Sequence, residues 1–209
     1  LLKSEELIEK QAKRLLHLLG KDVNSVITTV GAEQEYFLID KQMYQKRKDL
    51  VYTGRTLFGN RPPKTQELDD HYFGVIKPRV LAFMKELNEE CWKLGIPAKT
   101  QHNEVAPCQH ELAPIYTLTN RACDQNQIVM ELMKKIADKH DLVCLLHEKP
   151  FDGINGSGKH NNWSMSADGE NLLSPKGSDE QFLLFLSAVL QAVDEYPELL
   201  RVAAATGGN

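Results

Sequence analysis

The sequence is poor in the features that would place a chain in a membrane, a disulfide scaffold or a nucleic-acid complex. Its four cysteines, Cys91, Cys108, Cys123 and Cys144, lie far apart with no C-x-x-C. That pattern predicts reduced core thiols in a cytoplasmic protein, not a cystine framework or a zinc site. The longest apolar run, around 182–193, is broken by Ser187 and Gln191 and falls short of the roughly 20 residues a spanning helix needs. The first residues show no signal-peptide pattern. Basic residues form no dense cluster, and the net charge of −4 argues against a phosphate-backbone partner. Internal repeats and low-complexity segments are absent too. Leu1 is not a natural start and Gly207-Gly208-Asn209 is not an obvious stop, so the chain reads as a piece of a longer one. What is present, 209 residues of ordinary globular composition, predicts one domain, or one and a part, with a sizeable core.

The richest stretch is KPFDGINGSGKHNNWSMS, Lys149 to Ser166. Gly153, Gly156 and Gly158 follow an apolar run, Leu142 to Leu146, that reads as a buried strand; glycines there let backbone approach a ligand closely and adopt positive φ. His160, Asn162 and Ser164 then alternate with Asn161, Trp163 and Met165, and strand alternation puts the first three on one face. A glycine-rich hairpin with a satisfied surface histidine would look similar. Gly153 to Lys159 also fits the first seven positions of a phosphate-cradling G-x-x-x-x-G-K, but His160 stands where a magnesium-holding Ser or Thr belongs. The following NNWSMS does not open a helix, so a P-loop is excluded.

Upstream, a first helix capped by Ser4 and stopped at Gly20 precedes a β-rich run from Val26 to Asp40. Within that run Glu33 and Glu35 share a face, roughly 7 Å apart, and Tyr36 and Leu38 are assigned to the other side. Paired carboxylates repel, so they need water, a cation or a basic partner nearby. Residues 41 to 77 read as a long irregular insertion. Pro78 opens a helix with a core stripe of Val80, Met84, Leu87, Cys91 and Leu94, ended by Gly95 and Pro97. Ala98 to Val105 returns to strand alternation with His102 and Glu104 on one face; after Pro107 a second extended piece carries Glu111. A further helix points Ile128 or Val129, Leu132, Met133 and Ile136 inward. A polar turn, Asp168 to Gly177, leads to a last amphipathic helix from about Asp179 to Tyr196.

Each acidic element is unremarkable alone. Together they supply carboxylates and an imidazole in numbers that suit magnesium or manganese, enough for two adjacent ions that would clamp a transferring phosphoryl group. Converging carboxylates without cations would be prohibitively costly to bury.

In this order, GAEQEYFLID, QHNEVAPCQHEL and KPFDGINGSGKHNNWSMS resemble the metal and nucleotide motifs of glutamine synthetase. The EQEYFLIDKQMY start, the TGRTLFG–PPK–QELDDHYFG insertion and the HNNWSMS ending are most similar to the long, type III enzymes. The resemblance covers essentially the whole chain. It implies an α/β (α+β) fold, a curved, mostly antiparallel sheet flanked by helices, here part of a single catalytic domain over 1–209. It implies that Glu35, Glu104 and Glu111 bind one metal, and Glu33 and His160 a second on the ATP phosphates. Asn155 and Gly156 lie where the family holds glutamate, His102 matches a phosphate-side histidine, and Asn162 and Ser164 lie on the nucleotide side, Asn162 replacing a histidine of some relatives. The implied reaction is ATP-dependent phosphorylation of the L-glutamate side chain, then attack by ammonia, with Glu104 as the catalytic carboxylate and a ring-shaped homo-oligomer as the assembly.

The family's further metal glutamate, its arginines and its flap would lie beyond a segment like Ala203 to Asn209, and its small N-terminal β domain is also missing. The expectation is a piece that holds most metal ligands yet cannot turn over by itself. Two other readings fit the same residues: a ligase of this fold that joins glutamate to another amine, and a non-catalytic structural relative.

Overall fold

The computed structural model describes residues 1–175 and 179–204. The end of the polar turn at Gly177 and residues 205–209 lie outside the described residues. The chain divides into two compact units, Leu1–Val30 with Tyr116–Ala122 and Asn162–Asn209, and Gly31–Ile115 with Cys123–Asn161.

In the first unit, α1 (Leu2–Leu18) is followed by the start of β1 (Val26–Asp40), whose Thr29 and Val30 pair with β4 (Thr117–Leu118). Strand β6 (Lys159–Ala167) ends in this unit and pairs antiparallel with β7 (Glu170–Asn171); α6 (Asp179–Glu195) and α7 (Pro197–Ala204) close it. Period-two alternation on β6 sends Met165 and Ala167 inward, where they join Ala12, Leu16, Val26, Leu172 and Phe185 in one apolar cluster. Ser4 does not cap α1: the helix begins two residues earlier with Leu1 at the cap.

The second unit is built on the rest of β1. Its Gln34 to Phe37 pair antiparallel with β3 (Gln109–Pro114), which pairs in turn with β2 (Ala98–Asn103). On its other side, Phe37 to Asp40 pair with β5 (Leu142–Leu145). The insertion is less irregular than its composition suggests. Asp40 caps α2 (Lys41–Gln45) by accepting from the amides of Gln42 and Met43, and α3 (Lys48–Thr53) and a 3₁₀ turn at Glu67–Asp69 follow. Asp49 is buried and takes both a fork of hydrogen bonds from Arg47 and the amide of Leu57. That contact holds its carboxyl far below the usual range.

Pro78 does open a helix, α4 (Pro78–Lys93). It ends in a Schellman motif: the Ile96 amide donates to Cys91 and that of Gly95 to Trp92, with Gly95 at φ 71°, a conformation a side chain would strain. Val80, Phe83, Met84, Leu87 and Cys91 are its buried face. Leu94, expected in that stripe, lies at the cap and is exposed, and Phe83 fills the core in its place. From α5 (Thr119–Lys139), Val129, Met133, Ile136 and Ala137 pack into the same core, whereas Ile128 is exposed. The two helices bury one face of β1 and β3 through Tyr36, Leu38 and Leu112. Each such side chain removed from water contributes roughly 1.5–3 kcal/mol.

Cys91 and Cys144 are core thiols, and burial pushes the Cys91 thiol up to about 11. Cys108 and Cys123 are exposed, contrary to expectation: Cys108 sits at the β2–β3 connection at φ 66°, and Cys123 on the first turns of α5. Among the described residues no helix is long and apolar enough to cross a membrane. Strand β6, not a helix, follows the glycine loop, as the rejection of a P-loop requires.

Candidate active site

Register alone puts three of the candidate side chains in a row. Glu35 on β1 stands opposite Glu111 on β3, and Glu111 stands opposite His102 on β2. Directly opposed residues share a sheet face, so this row lies on the side away from the α4–α5 core. Glu104, just past the end of β2, joins it, its amide tied to the Gln109 carbonyl. His102 Nε2 lies 3.2 Å from Glu111 Oε1 and its Nδ1 3.5 Å from Glu104 Oε1. One ligand atom from each of His102, Glu104 and Glu111 falls within 4.8 Å of the others. On the same face, Glu33 Oε2 lies 2.8 Å from His160 Nδ1 at the start of β6.

Glu35 is held differently. Its Oε2 accepts from the Gly158 amide at 3.1 Å and from Gln109 Nε2 at 3.3 Å. The same Gln109 nitrogen donates to the Gly156 carbonyl at 2.8 Å, while its Oε1 accepts from the Ala106 amide. One buried amide thus locks the glycine loop, the β2–β3 connection and Glu35 together. Ser157 anchors the loop from the other side, donating Oγ to the Leu145 carbonyl. Gly156 is dictated by this packing: a Cβ there would sit 1.8 Å from the Glu148 carbonyl. Backbone contact within the protein, as well as any ligand, therefore requires that glycine, and of the loop's three glycines only Gly153 has positive φ.

Electrostatically the face is overloaded with negative charge. Burial first, then Glu33 and Glu104, push the Glu111 carboxyl up to about 7, with His102 opposing. Glu35 is also raised, by burial and then by Glu104 and Glu33, against the Gly158 hydrogen bond. Carboxylates that raise one another this way are relieved by a cation. The donors are carboxylate oxygens with one or two imidazoles, a set that fits magnesium or manganese and lacks the thiolates of a structural zinc site. The residues present therefore fit divalent ions of that kind.

Asn155 and Gly156 lie in the loop, Asn155 against Gln66 of the insertion. Asn162 and Ser164 belong to the first unit; Asn162 is exposed and Ser164 donates to Asn171 Oδ1. Sequence reasoning missed Gln109, Gln66 and His71, whose Nδ1 lies 2.7 Å from the Glu104 carbonyl oxygen, and Tyr72, edge-on to the His102 ring. The available signal was the polar QEL–DDHYFG run inside the insertion, which carries no periodicity to say where it folds back.

Mixed α/β units whose antiparallel strands gather carboxylates and imidazoles beside a glycine loop define a class of domain whose side chains fit divalent ions. The family description "Glutamine synthetase, catalytic domain" matches residues 10–197, and the chain belongs to the glutamine synthetase family. It is 61% identical to a glutamine synthetase of Butyrivibrio fibrisolvens, over all of this chain and 31% of that protein. It is 49% identical to the "Type-3 glutamine synthetase" of Dictyostelium discoideum, over all of this chain and 29% of that one. The chain thus spans less than a third of the length of these relatives. Among solved structures, a Plasmodium falciparum glutamine synthetase matches 78% of this chain and 34% of its own with a TM-score of 0.55 at 18% identity, a likeness of fold.

Proposed function

We propose that this chain supplies most of the metal site and part of the amino-acid site of an ATP-dependent glutamate–ammonia ligase of the type III class. The supporting observation is the Glu35–Glu111–His102 row with Glu104 beside it and the Glu33–His160 pair on the same face. Glu104, Glu111 and either Glu35 or His102 would hold one magnesium or manganese ion, and Glu33 with His160 a second. Bound there, the ions would neutralise charge on the phosphoryl group moving from ATP to the glutamate side chain.

The chain's own residues do the rest. The Asn155–Gly156 segment, fixed by Gln109, Ser157 and Gln66, orients the amino-acid substrate. Glu104, hydrogen-bonded through its backbone to Gln109 and His71, carries a carboxylate that binds ammonium and accepts its proton as ammonia attacks the acyl phosphate. Asn162 and Ser164 contribute on the nucleotide side. ATP, L-glutamate and ammonium are the substrates, the assembly is a ring-shaped homo-oligomer and the compartment the cytoplasm.

We propose further that the chain, which spans less than a third of the length of its relatives, is part of one catalytic domain and does not turn over alone. Incubating the 209-residue chain, and the same segment within a full-length type III protein, with ATP, L-glutamate, ammonium and magnesium tests both statements. Glutamine is expected from the longer protein alone. Glutamine from the short chain would overturn the second statement, and a preference of the longer protein for another amine would overturn the choice of ammonia.

A further inference from the structure

We propose that Gln66 fixes which end of the Asn155 side-chain amide faces the substrate, and thereby makes the glycine loop a site for a carboxylate. This rests on the reading of Asn155 as an amino-acid contact. A terminal amide is nearly symmetrical in shape, and only its hydrogen bonds decide whether NH₂ or oxygen points a given way. Here the decision runs back to a group with no choice. The backbone N–H of Asn155 can only donate, and it donates to Gln66 Oε1 at 2.7 Å. Gln66 must therefore turn its oxygen to that amide and its Nε2 outward. That nitrogen, a donor only, lies 3.3 Å from the Asn155 side chain, which must answer with Oδ1. Nδ2 is left as the free end, and no described residue accepts from it.

The relay is braced at both ends. Glu67 accepts from the Thr65 amide at 2.8 Å and the Thr65 hydroxyl at 2.9 Å, beside Gln66. Thr56 ties the same insertion to the loop, its amide donating to the Pro150 carbonyl at 2.9 Å. Lys149 Nζ donates to the Ile154 carbonyl at 2.6 Å, stiffening the peptide next to Asn155. Two N–H donors offered by a fixed amide suit an anionic oxygen and reject a carbonyl or amide turned the same way. Gln66 is a positioning residue: it acts through Asn155.

The test compares Gln66→Glu with Gln66→Ala in the full-length protein, measuring KM for L-glutamate and for ATP, with calorimetric L-glutamate binding alongside. Glu at 66 keeps an oxygen for the Asn155 amide but has no donor, so Asn155 must flip and show Oδ1 to the substrate. Ala leaves the amide undirected. The expected result is a rise in the glutamate KM of about tenfold or more for Gln66→Glu and only about threefold for Gln66→Ala, with the ATP KM unmoved. A merely structural role predicts the reverse order, because Ala loses the backbone anchor that Glu retains. That order, or equal rises for both substrates, overturns the proposal. If the glutamate variant does not fold, Gln66→Met replaces it, and an unchanged glutamate KM in that variant overturns the proposal equally. Failure of the unsubstituted protein to make glutamine is read from the control; it removes the reading of the site and this inference with it.

Discussion

His102 and His110 lie on neighbouring strands, one residue apart in register, yet the protein treats them as different chemical groups. His102 is partly open and lies between two carboxylates. His110 points to the helix-covered face at 3% exposure, with Nδ1 on Asn103 Oδ1, and burial pushes it down to about 3. The same alternation separates Glu35 and Glu111, crowded with like charge, from Tyr36, whose burial keeps it a phenol that donates to Gln101. One face is packed for stability and accepts no charge. The other carries mutual repulsion that His102 and the Gly158 amide offset only in part and that a bound cation would relieve, a strain met elsewhere in the fold.

The largest effect belongs to the packed face. Phe83 is fully buried against Tyr36. Phe83→Ala is expected to cost about 3–5 kcal/mol in guanidinium unfolding, while manganese affinity of the remaining folded protein stays within about twofold. A collapse of metal binding at a temperature where the variant is still folded would mean that the two faces are one coupled unit.

The acidic face should respond in the opposite sense. Glu111→Gln removes a proposed metal ligand and a repelled charge together. Manganese affinity by calorimetry is expected to fall about 100-fold, at or beyond the range seen when mere supporting groups are lost. The chelator-treated variant should melt no lower than the unsubstituted protein at pH 8, since burying an amide there is less costly than burying a crowded carboxylate. A clear loss of apo stability would show that Glu111 is held for packing.

Much of this division was legible in the sequence because alternation is a period-two signal. It placed Glu33 with Glu35, and His102 with Glu104 ahead of the turn to Glu111, and helical spacing found most of the α4 stripe. It misjudged Leu94, because a stripe does not reveal where the chain reverses into a cap. It misjudged the exposed thiols of Cys108 and Cys123, because nothing in cysteine spacing distinguishes a loop tip from a core. Gln66 and His71 lie in a polar run with no periodicity to say where it folds back, and Gln109 left no signal of its own. Gln66 meets the glycine loop roughly 90 residues away in sequence, His71 meets Glu104 from the same insertion, and Gln109 reaches the loop from β3; such long-range contacts follow no local period.

The smallest expected effect is a cancellation that substitution should expose. With divalent ions chelated, Glu111 is raised from 4.5 to about 7 on folding, so between those values the native state holds a proton the unfolded chain has released. Its contribution is complete below about 4.5 and is lost as pH rises through 7. His110 falls from 6.5 to about 3, so over that range the unfolded chain holds the extra proton. Its contribution is complete above 6.5 and is lost as pH falls toward 3. Between about pH 4.5 and 6.5 the two slopes, each at most ~1.4 kcal/mol per pH unit, oppose one another, so urea stability should be nearly flat there. Glu111→Gln should leave the histidine term and make stability climb with pH over that interval. His110→Phe should leave the carboxyl term and make it decline, and saturating manganese, by holding Glu111 ionised, should give the unsubstituted protein the climbing profile. Parallel profiles for the two variants would mean that the faces do not titrate independently, and the division drawn from their burial would fail at the level of charge.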